Sequence, residues 1–455
     1  MPAREQGAVA VDLGASSARF AEGWLQDGLL SFRVVEQIAH EPKQENGRAV
    51  WDMEALLGIC RRAVQHAQTT FAKSTVGIDA WGVDHGFLTR EGKLVQAPVC
   101  YRDPSHVEAF ESLALHRPRL YQLTGIQHQP FNTICQLIAR KTENPDLIDP
   151  QIEWQLLPDL LGTLLGAPRN YELTEASTTQ LMGLDAQWSP EAFALAGWPV
   201  PPYQPHAPGQ PAGEIAPGVR LVRVGSHDTA SAVRGFGALP PDQAFLNLGT
   251  WSLLGTVLDS PLATPQAEQA GFTNERAVDR RVRFLKNIPG FYVVNRIHDE
   301  LKIKGEVADW LAAAERTDLR LDLLSPSLFN PKSMPEACLE LLPRQPKNNE
   351  VWAGLLLGSL ADVTAAETQV LERLTGRSFK TLRLAGGGSK SPKLCQMIAD
   401  ASGRHVLAGP SEVTVLGNLG VQLAAAGVLE SQQHLDQVLE SSAQAVAYQP
   451  GVAAK

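Results

Sequence analysis

The sequence predicts an α/β protein of two lobes, each built on a sheet, with a cleft between them. Three observations carry this expectation. Residues 8–13 form an apolar run, a Gly-containing turn follows at 14–17, and residues 19–25 alternate as a returning antiparallel strand. The same grammar recurs at 244–257: an apolar strand to Leu248, a turn at Gly249-Thr250, and a return over 252–257. The chain, at 455 residues, is also too long for one ordinary domain. A repeated hairpin in a chain of this length implies internal duplication. Gly235, Gly237, Pro240 and Pro241 mark the hinge, giving lobes at 1–238 and 239–455.

Between the hairpins, helical and strand patterns alternate. Met53, Leu56, Leu57, Cys60, Ala63 and Val64 recur at helical spacing, and residues 75–78 read as a buried strand. Eight prolines between 190 and 217 predict an irregular excursion there, because proline removes a backbone donor and fits poorly inside helices and central strands. The second half offers a long helix at 351–374, a strand at 381–385, a helix at 391–402 and a strand at 405–407. A final helix over 416–429 is rich in Gly417, Gly420, Ala424, Ala425 and Ala426, whose small side chains permit close packing.

Composition narrows the partners. With 40 Lys and Arg against 49 Asp and Glu, the formal net charge is -9. That balance argues against nucleic acid and against an anionic membrane, both of which reward a basic surface. No apolar run reaches the ~18 residues of a membrane span, and the first twenty residues lack a signal-peptide pattern. The five cysteines are scattered without a Cys-x-x-Cys pair, which points to reduced thiols and not to a disulfide framework or zinc knuckle. The expectation is a cytoplasmic protein with small-molecule ligands, as a monomer or a dimer.

Four constellations carry chemistry. The turn Asp12-Leu-Gly-Ala15-Ser16-Ser17-Ala18-Arg19 gathers backbone N–H groups, two hydroxyls and a guanidinium that suit phosphate oxygens. Asp12 would face an accompanying Mg²⁺, through water, since that ion keeps much of its hydration. Gly386-Gly387-Gly388 follows a strand and precedes a helix, where missing side chains let backbone approach a nucleotide. Neither a Walker A sequence nor a Gly-x-Gly-x-x-Gly fingerprint occurs. Ser226-His227-Asp228-Thr229 places a carboxylate near the hinge, where it could accept the proton of an attacking hydroxyl. These residues alone leave His227 and Thr229 open between ligand and packing roles. Gly77-Ile-Asp79-Ala-Trp81-Gly82-Val-Asp84-His85 ends a strand with an aromatic ring, acids and an imidazole, the residue types that hold sugars.

In order along the chain, these pieces resemble the FGGY family of carbohydrate kinases, and within it the rhamnulokinases. The resemblance also draws on Tyr101-Arg-Asp103, Pro130-Phe-Asn-Thr133, Thr178-Thr-Gln-Leu181, Gly249-Thr-Trp-Ser-Leu253, Leu285-Lys-Asn-Ile288 and Leu416-Gly-Asn-Leu-Gly420. It implies two actin-like (ribonuclease H-like) ATPase lobes. The first would hold the sugar and catalytic base, the second the nucleotide. It implies Asp228 as proton acceptor, with Gly82, His227, Thr229 and Asn287 around a ketose. ATP would be held by Ala15, Ser16, Ser17, Ala18, Arg19, Thr250, Asn295 and Gly387, with Mg²⁺ near Asp12. The implied reaction moves the γ-phosphoryl group of MgATP to the C1 hydroxyl of L-rhamnulose. L-fuculose or L-xylulose is the nearest alternative acceptor, and a non-enzymatic nucleotide switch on the same fold is a more distant one. Three positions depart from the usual pattern: Ala18 in place of Gly, Asn295 in place of Gln, and His85 in place of an aromatic residue. The first two bear on nucleotide affinity, the third on the choice of sugar.

Overall fold

In a computed structural model the described residues are 4–249, 251–329 and 331–451. They divide into two compact units. The first comprises residues up to Ala238, Leu258–Phe284 and Val413–Ala443; the second comprises Leu239–Val257, Leu285–Glu412 and residues from Gln444 onward. One of the breaks between the units follows Ala238. However, two later segments that the sequence assigned to the second lobe return to the first unit.

The first unit is centred on a six-stranded sheet in the order Gln210–Ala216, Val219–Arg223, Phe71–Ala80, Arg4–Leu13, Ser17–Gln26, Leu29–Ala39. Arg4–Leu13 runs antiparallel to Ser17–Gln26 and parallel to Phe71–Ala80, with Asp12 level with both Arg19 and Asp79. The period-2 rule decides what covers each face. Val9, Val11 and Leu13 join a core containing Leu56, Ile59, Cys60 and Ala63 of the helix Met53–Thr70. That helix starts at Asp52, whose side chain accepts from the Ala55 N–H. On the opposite face Ala8 and Ala10 meet Leu416, Leu419 and Leu423 of the helix Val413–Ala425.

That helix explains why 413–443 belongs to the first unit. It crosses the helix Asp228–Gly235 at glycines: a Cβ on Gly417 would stand 1.9 Å from the Ser231 carbonyl oxygen, and one on Gly235 would stand 2.1 Å from that of Val413. The small side chains that the sequence shows at its end therefore seat one backbone on another, beneath the candidate base.

The proline-rich stretch is more regular than expected. Pro190 opens the helix Pro190–Ala196, with Ser189 capping the Ala192 N–H, and Pro211 lies on the sheet-edge strand Gln210–Ala216. First helical turns and edge strands are places where a missing N–H costs little.

The second unit repeats the plan. The seven-stranded sheet runs Val446–Tyr448, His405–Ala408, Thr381–Ala385, Gln243–Leu248, Trp251–Leu258, Val282–Pro289, Thr273–Arg276. Gln243–Leu248 is antiparallel to Trp251–Leu258 and parallel to Thr381–Ala385, which is parallel in turn to His405–Ala408. An antiparallel edge strand, two parallel strands, then a hairpin: the order matches that of the first sheet, and so the duplication inferred from two hairpins extends through both sheets. The long helix expected at 351–374 spans Asn349–Thr375, from an Asn348 cap to Gly376 in the left-handed region.

Candidate active site

In the first unit the ends of neighbouring strands bring three carboxylates together. Asp12 ends the first strand and Asp79 stands level with it. Asp228 begins the helix that follows the next parallel strand, and Ala80 bridges to His227 across the same edge. Arg19, level with Asp12 on the hairpin, donates from Nε and Nη2 to Asp12 Oδ2 at 2.9 and 2.6 Å. The two residues expected to take phosphate and metal are thus paired with each other. Asp79 is fully buried; burial, and then the charge of Asp12, push its carboxyl well above the usual range.

The turn between the hairpin strands closes through Gly14 N to Ser17 O at 2.9 Å. Its carbonyl oxygens are occupied: Gly14 O by His40 Nε2, Ala15 O by Arg102 and Ser16 O by the His40 N–H. Among the described residues the Ala15 and Ser16 N–H groups have no such partner, and Ser16 is exposed. These two donors of the turn could therefore receive an anionic ligand. Ala18 points into the core under the hairpin, so that only its backbone can reach a ligand.

Asp228 stands beside three of the four residues expected around a sugar. The Thr229 hydroxyl donates to its Oδ1 at 3.0 Å, and His227 Nε2 is 3.6 Å from the same oxygen. A Cβ on Gly82 would stand 3.3 Å from His227 Nε2 and 3.1 Å from Thr178 Cγ2, so Gly82 leaves room beside the imidazole. The Asp228 side chain keeps 30% of its surface, yet it sits low enough among protein atoms that desolvation raises its pKa. His227 opposes that shift and Asp12 adds to it. A carboxylate raised in this way is a stronger proton acceptor than a free aspartate.

Two charged residues around His227 had no place in the sequence expectations. Arg283 has no exposed side-chain surface and lies 3.1 Å from Glu275, which keeps 12%. Burial pushes Glu275 up, but the Arg283 guanidinium, with His227, holds it below its ordinary value. The available signal is a lone arginine in the otherwise apolar run Val282-Arg-Phe-Leu285.

The sugar platform expected at Trp81 is corrected. Trp81 is buried against Trp51, ring centroids 4.2 Å apart, with His40 stacked at 5.5 Å. Asp84 and His85 are buried with it. A strand-end aromatic between two acids becomes core here because Asp84 satisfies its indole N–H at 2.8 Å.

In the second unit, Gly387 is exposed and a Cβ on it would meet nothing within 4 Å. A 3₁₀ turn, Gly387–Lys390, separates the strand from the helix Pro392–Ser402, and Ser391 caps that helix. Asn287 is exposed on the strand Val282–Pro289, and Asn295 is half-buried on the helix Phe291–Glu300. Thr250 lies outside the described residues. Tyr292, one turn before Asn295, stacks on Trp251 at 5.6 Å with ring planes 9° apart.

Among the described residues no three Asp, Glu, His or Cys side chains converge as a self-sufficient metal site. Asp12 and its neighbours offer hard oxygen donors. These suit Mg²⁺, which keeps water and is commonly bound through one or two carboxylates and substrate phosphates.

Comparisons with known proteins agree with this construction. Residues 8–205 match the N-terminal domain and residues 244–426 the C-terminal domain of the FGGY family of carbohydrate kinases. The chain is 35% identical over 454 residues to a protein named rhamnulokinase from Yersinia pestis (strain Pestoides F), covering 95% of this chain and 93% of that one. It is 33% identical over 464 residues to one of the same name from Klebsiella pneumoniae (strain 342), covering 97% and 94%. In fold it is similar to a ligand-bound xylulose kinase from Lactobacillus acidophilus, with TM-score 0.82 at 15% identity, covering 98% of this chain and 94% of that one. It is also similar to Plasmodium falciparum glycerol kinase with ADP, with TM-score 0.78 at 15% identity, covering 99% and 95%. Fold and site together define an ATP-dependent sugar kinase with two actin-like units. The chain belongs to the FGGY family of carbohydrate kinases. Among the described residues no helix is long and apolar enough to cross a membrane.

Proposed function

We propose that this kinase transfers the γ-phosphoryl group of MgATP to the C1 hydroxyl of L-rhamnulose, giving L-rhamnulose 1-phosphate. The observation that carries the reading is the setting of Asp228, whose pKa is raised by burial and which is held by Thr229 beside His227 and the space left at Gly82. The names carried by the relatives at 33–35% identity support the choice of sugar.

In this reading His227, Thr229, Gly82 and Asn287 hold the ketose. Asp228 takes the proton of the C1 hydroxyl as its oxygen bonds to the γ-phosphorus, while the bond to the bridging oxygen breaks and ADP leaves. The N–H groups of Ala15 and Ser16, the hydroxyls of Ser16 and Ser17, and Arg19 hold phosphate oxygens. The backbone at Ala18, Thr250 and Gly387, with Asn295, completes the nucleotide contacts. Asp12 would hold Mg²⁺ nearby, and the ion would supply charge compensation to the phosphates. We place the reaction in the cytoplasm, where the five buried, unpaired cysteines would stay reduced.

The test is Asp228→Asn with coupled ADP detection over a panel of ketoses. Loss of a proton acceptor should cost roughly 10²–10⁴ in kcat. Sugar-dependent ADP release within a few-fold of the parent, from a folded variant, would remove the base assignment. A higher kcat/KM on L-fuculose or L-xylulose than on L-rhamnulose would reassign the substrate.

A further inference from the structure

The buried Arg283–Glu275 pair serves no step described so far, and its position against His227 gives it one. Arg283 Nε donates to the Arg276 carbonyl oxygen at 2.9 Å, which fixes the plane of the guanidinium. Arg283 Nη2 is then in line with His227 Nδ1 at 3.1 Å. Glu275 Oε2 lies 3.2 Å from the same nitrogen, and among the described residues no donor meets that oxygen in hydrogen-bond geometry. A guanidinium donates and stays protonated. His227 Nδ1 must therefore accept, and the single proton of the neutral ring sits on Nε2, the nitrogen next to Asp228 Oδ1 and the Gly82 space.

We propose that Arg283, charge-balanced by Glu275, is a positioning residue for sugar phosphorylation, locking His227 as the neutral Nε2–H tautomer so that this N–H faces Asp228 and the acceptor hydroxyl. The inference rests on the kinase reading of Asp228. With the proton on Nδ1 instead, Nε2 would turn a lone pair toward the carboxylate and could not donate to a sugar oxygen. Charged groups pack around the imidazole and its partner from several elements. Asp228 is on the helix, Glu275 and Arg283 are on the paired strands, and Glu172 and Glu175 are in the turn below. The acids would favour a doubly protonated ring. The guanidinium at 3.1 Å opposes it directly. Thr174 Oγ1 accepts the His227 backbone N–H at 3.2 Å and anchors the residue from that side.

Ring-nitrogen NMR of ¹⁵N-labelled protein tests this, with His227→Gln used to identify the resonance. In the parent at pH 7.5, His227 should carry its ring proton on Nε2, with Nδ1 accepting from Arg283. Arg283→Lys should let the ring proton move to Nδ1, with kcat/KM for the ketose falling by about 10- to 100-fold. KM for ATP should stay within about twofold, a split that general loosening of the fold would not produce. An Nδ1–H or imidazolium form in the parent at pH 7.5 would overturn the proposal, as would a folded Arg283→Lys enzyme with kcat/KM within about twofold of the parent. If Arg283→Lys does not fold, the parent spectrum decides. The two readings separate cleanly, because the tautomer is read without any sugar, whereas an active Asp228→Asn protein would end the kinase reading alone.

Discussion

Trp51 and Trp81 share one acceptor: both indole N–H groups donate to Oδ2 of Asp84, at 2.5 and 2.8 Å. Gln136 Nε2 donates to the other oxygen at 3.0 Å and the Tyr101 N–H approaches Oδ2 at 3.3 Å. The carboxyl is fully buried, and burial raises its pKa to about 6 despite these donors.

Asp84→Asn should therefore be destabilising by about 2–4 kcal/mol, because an amide must turn its NH₂ toward a buried donor. The pH dependence has a definite sign. A carboxyl with a raised folded pKa contributes stability that is fully present below its unfolded value near 3.8 and is lost as pH rises through about 6. The asparagine does not titrate. Thermal unfolding should show a larger deficit for the variant at pH 5 than at pH 8; an equal or reversed difference would contradict the assignment.

His85 has the opposite sign. It packs edge-on against Phe87 and Trp154, with centroids 5.2 and 5.9 Å away. Burial lowers its pKa to about 3, and Arg140 adds to the effect. For this group stability is present above the unfolded value of 6.5 and is lost as pH falls toward 3, because the unfolded chain takes up a proton that the folded chain cannot. At pH 5 the difference is on the order of 2 kcal/mol. His85→Phe should thus raise Tm, and raise it more at pH 5 than at pH 8. The ranking of ketoses should not change, since the side chain lies among core aromatics. A shift in sugar preference with unaltered Tm would restore the specificity role that the sequence suggested.

The same stretch shows how far the sequence could be read. The hairpins, the turn donors and the helix begun by Asp228 were legible because each is local: apolar alternation, a glycine turn, an acid before a small-residue helix. Gly417 and Ala424 announced close packing, but nothing in their spacing says that the partner is the helix Asp228–Gly235 of the other half. The Trp81 and Asp84 pair reads as a sugar site or as core with equal ease, until Trp51, thirty residues earlier, is known to share the acceptor. Arg283 carries the least signal. Its value depends on Glu275 and His227, which strand pairing and burial bring together and which no short motif contains.

The three consecutive glycines of the second unit separate packing from ligand contact within one turn. Gly386 has φ +78°, and a Cβ there would stand 2.7 Å from both Asn247 Oδ1 and the Leu248 carbonyl oxygen. A Cβ on Gly388 would stand 2.5 Å from Phe291 Cε2. Gly387 alone has open space, at ordinary φ. Gly386→Ala should lower stability by about 2 kcal/mol or more, through strain and overlap together. Gly388→Ala should also destabilise, by forcing the Phe291 ring to move. Gly387→Ala should unfold within about 2 °C of the parent, because it meets neither obstacle. If the open face of Gly387 is where the nucleotide approaches, the added methyl will raise KM for ATP about fivefold or more while leaving KM for the ketose near its parent value. Thermal unfolding with parallel ATP and ketose titrations measures all three variants. An unchanged KM for ATP in Gly387→Ala would move the nucleotide away from this turn, whatever the other two variants do.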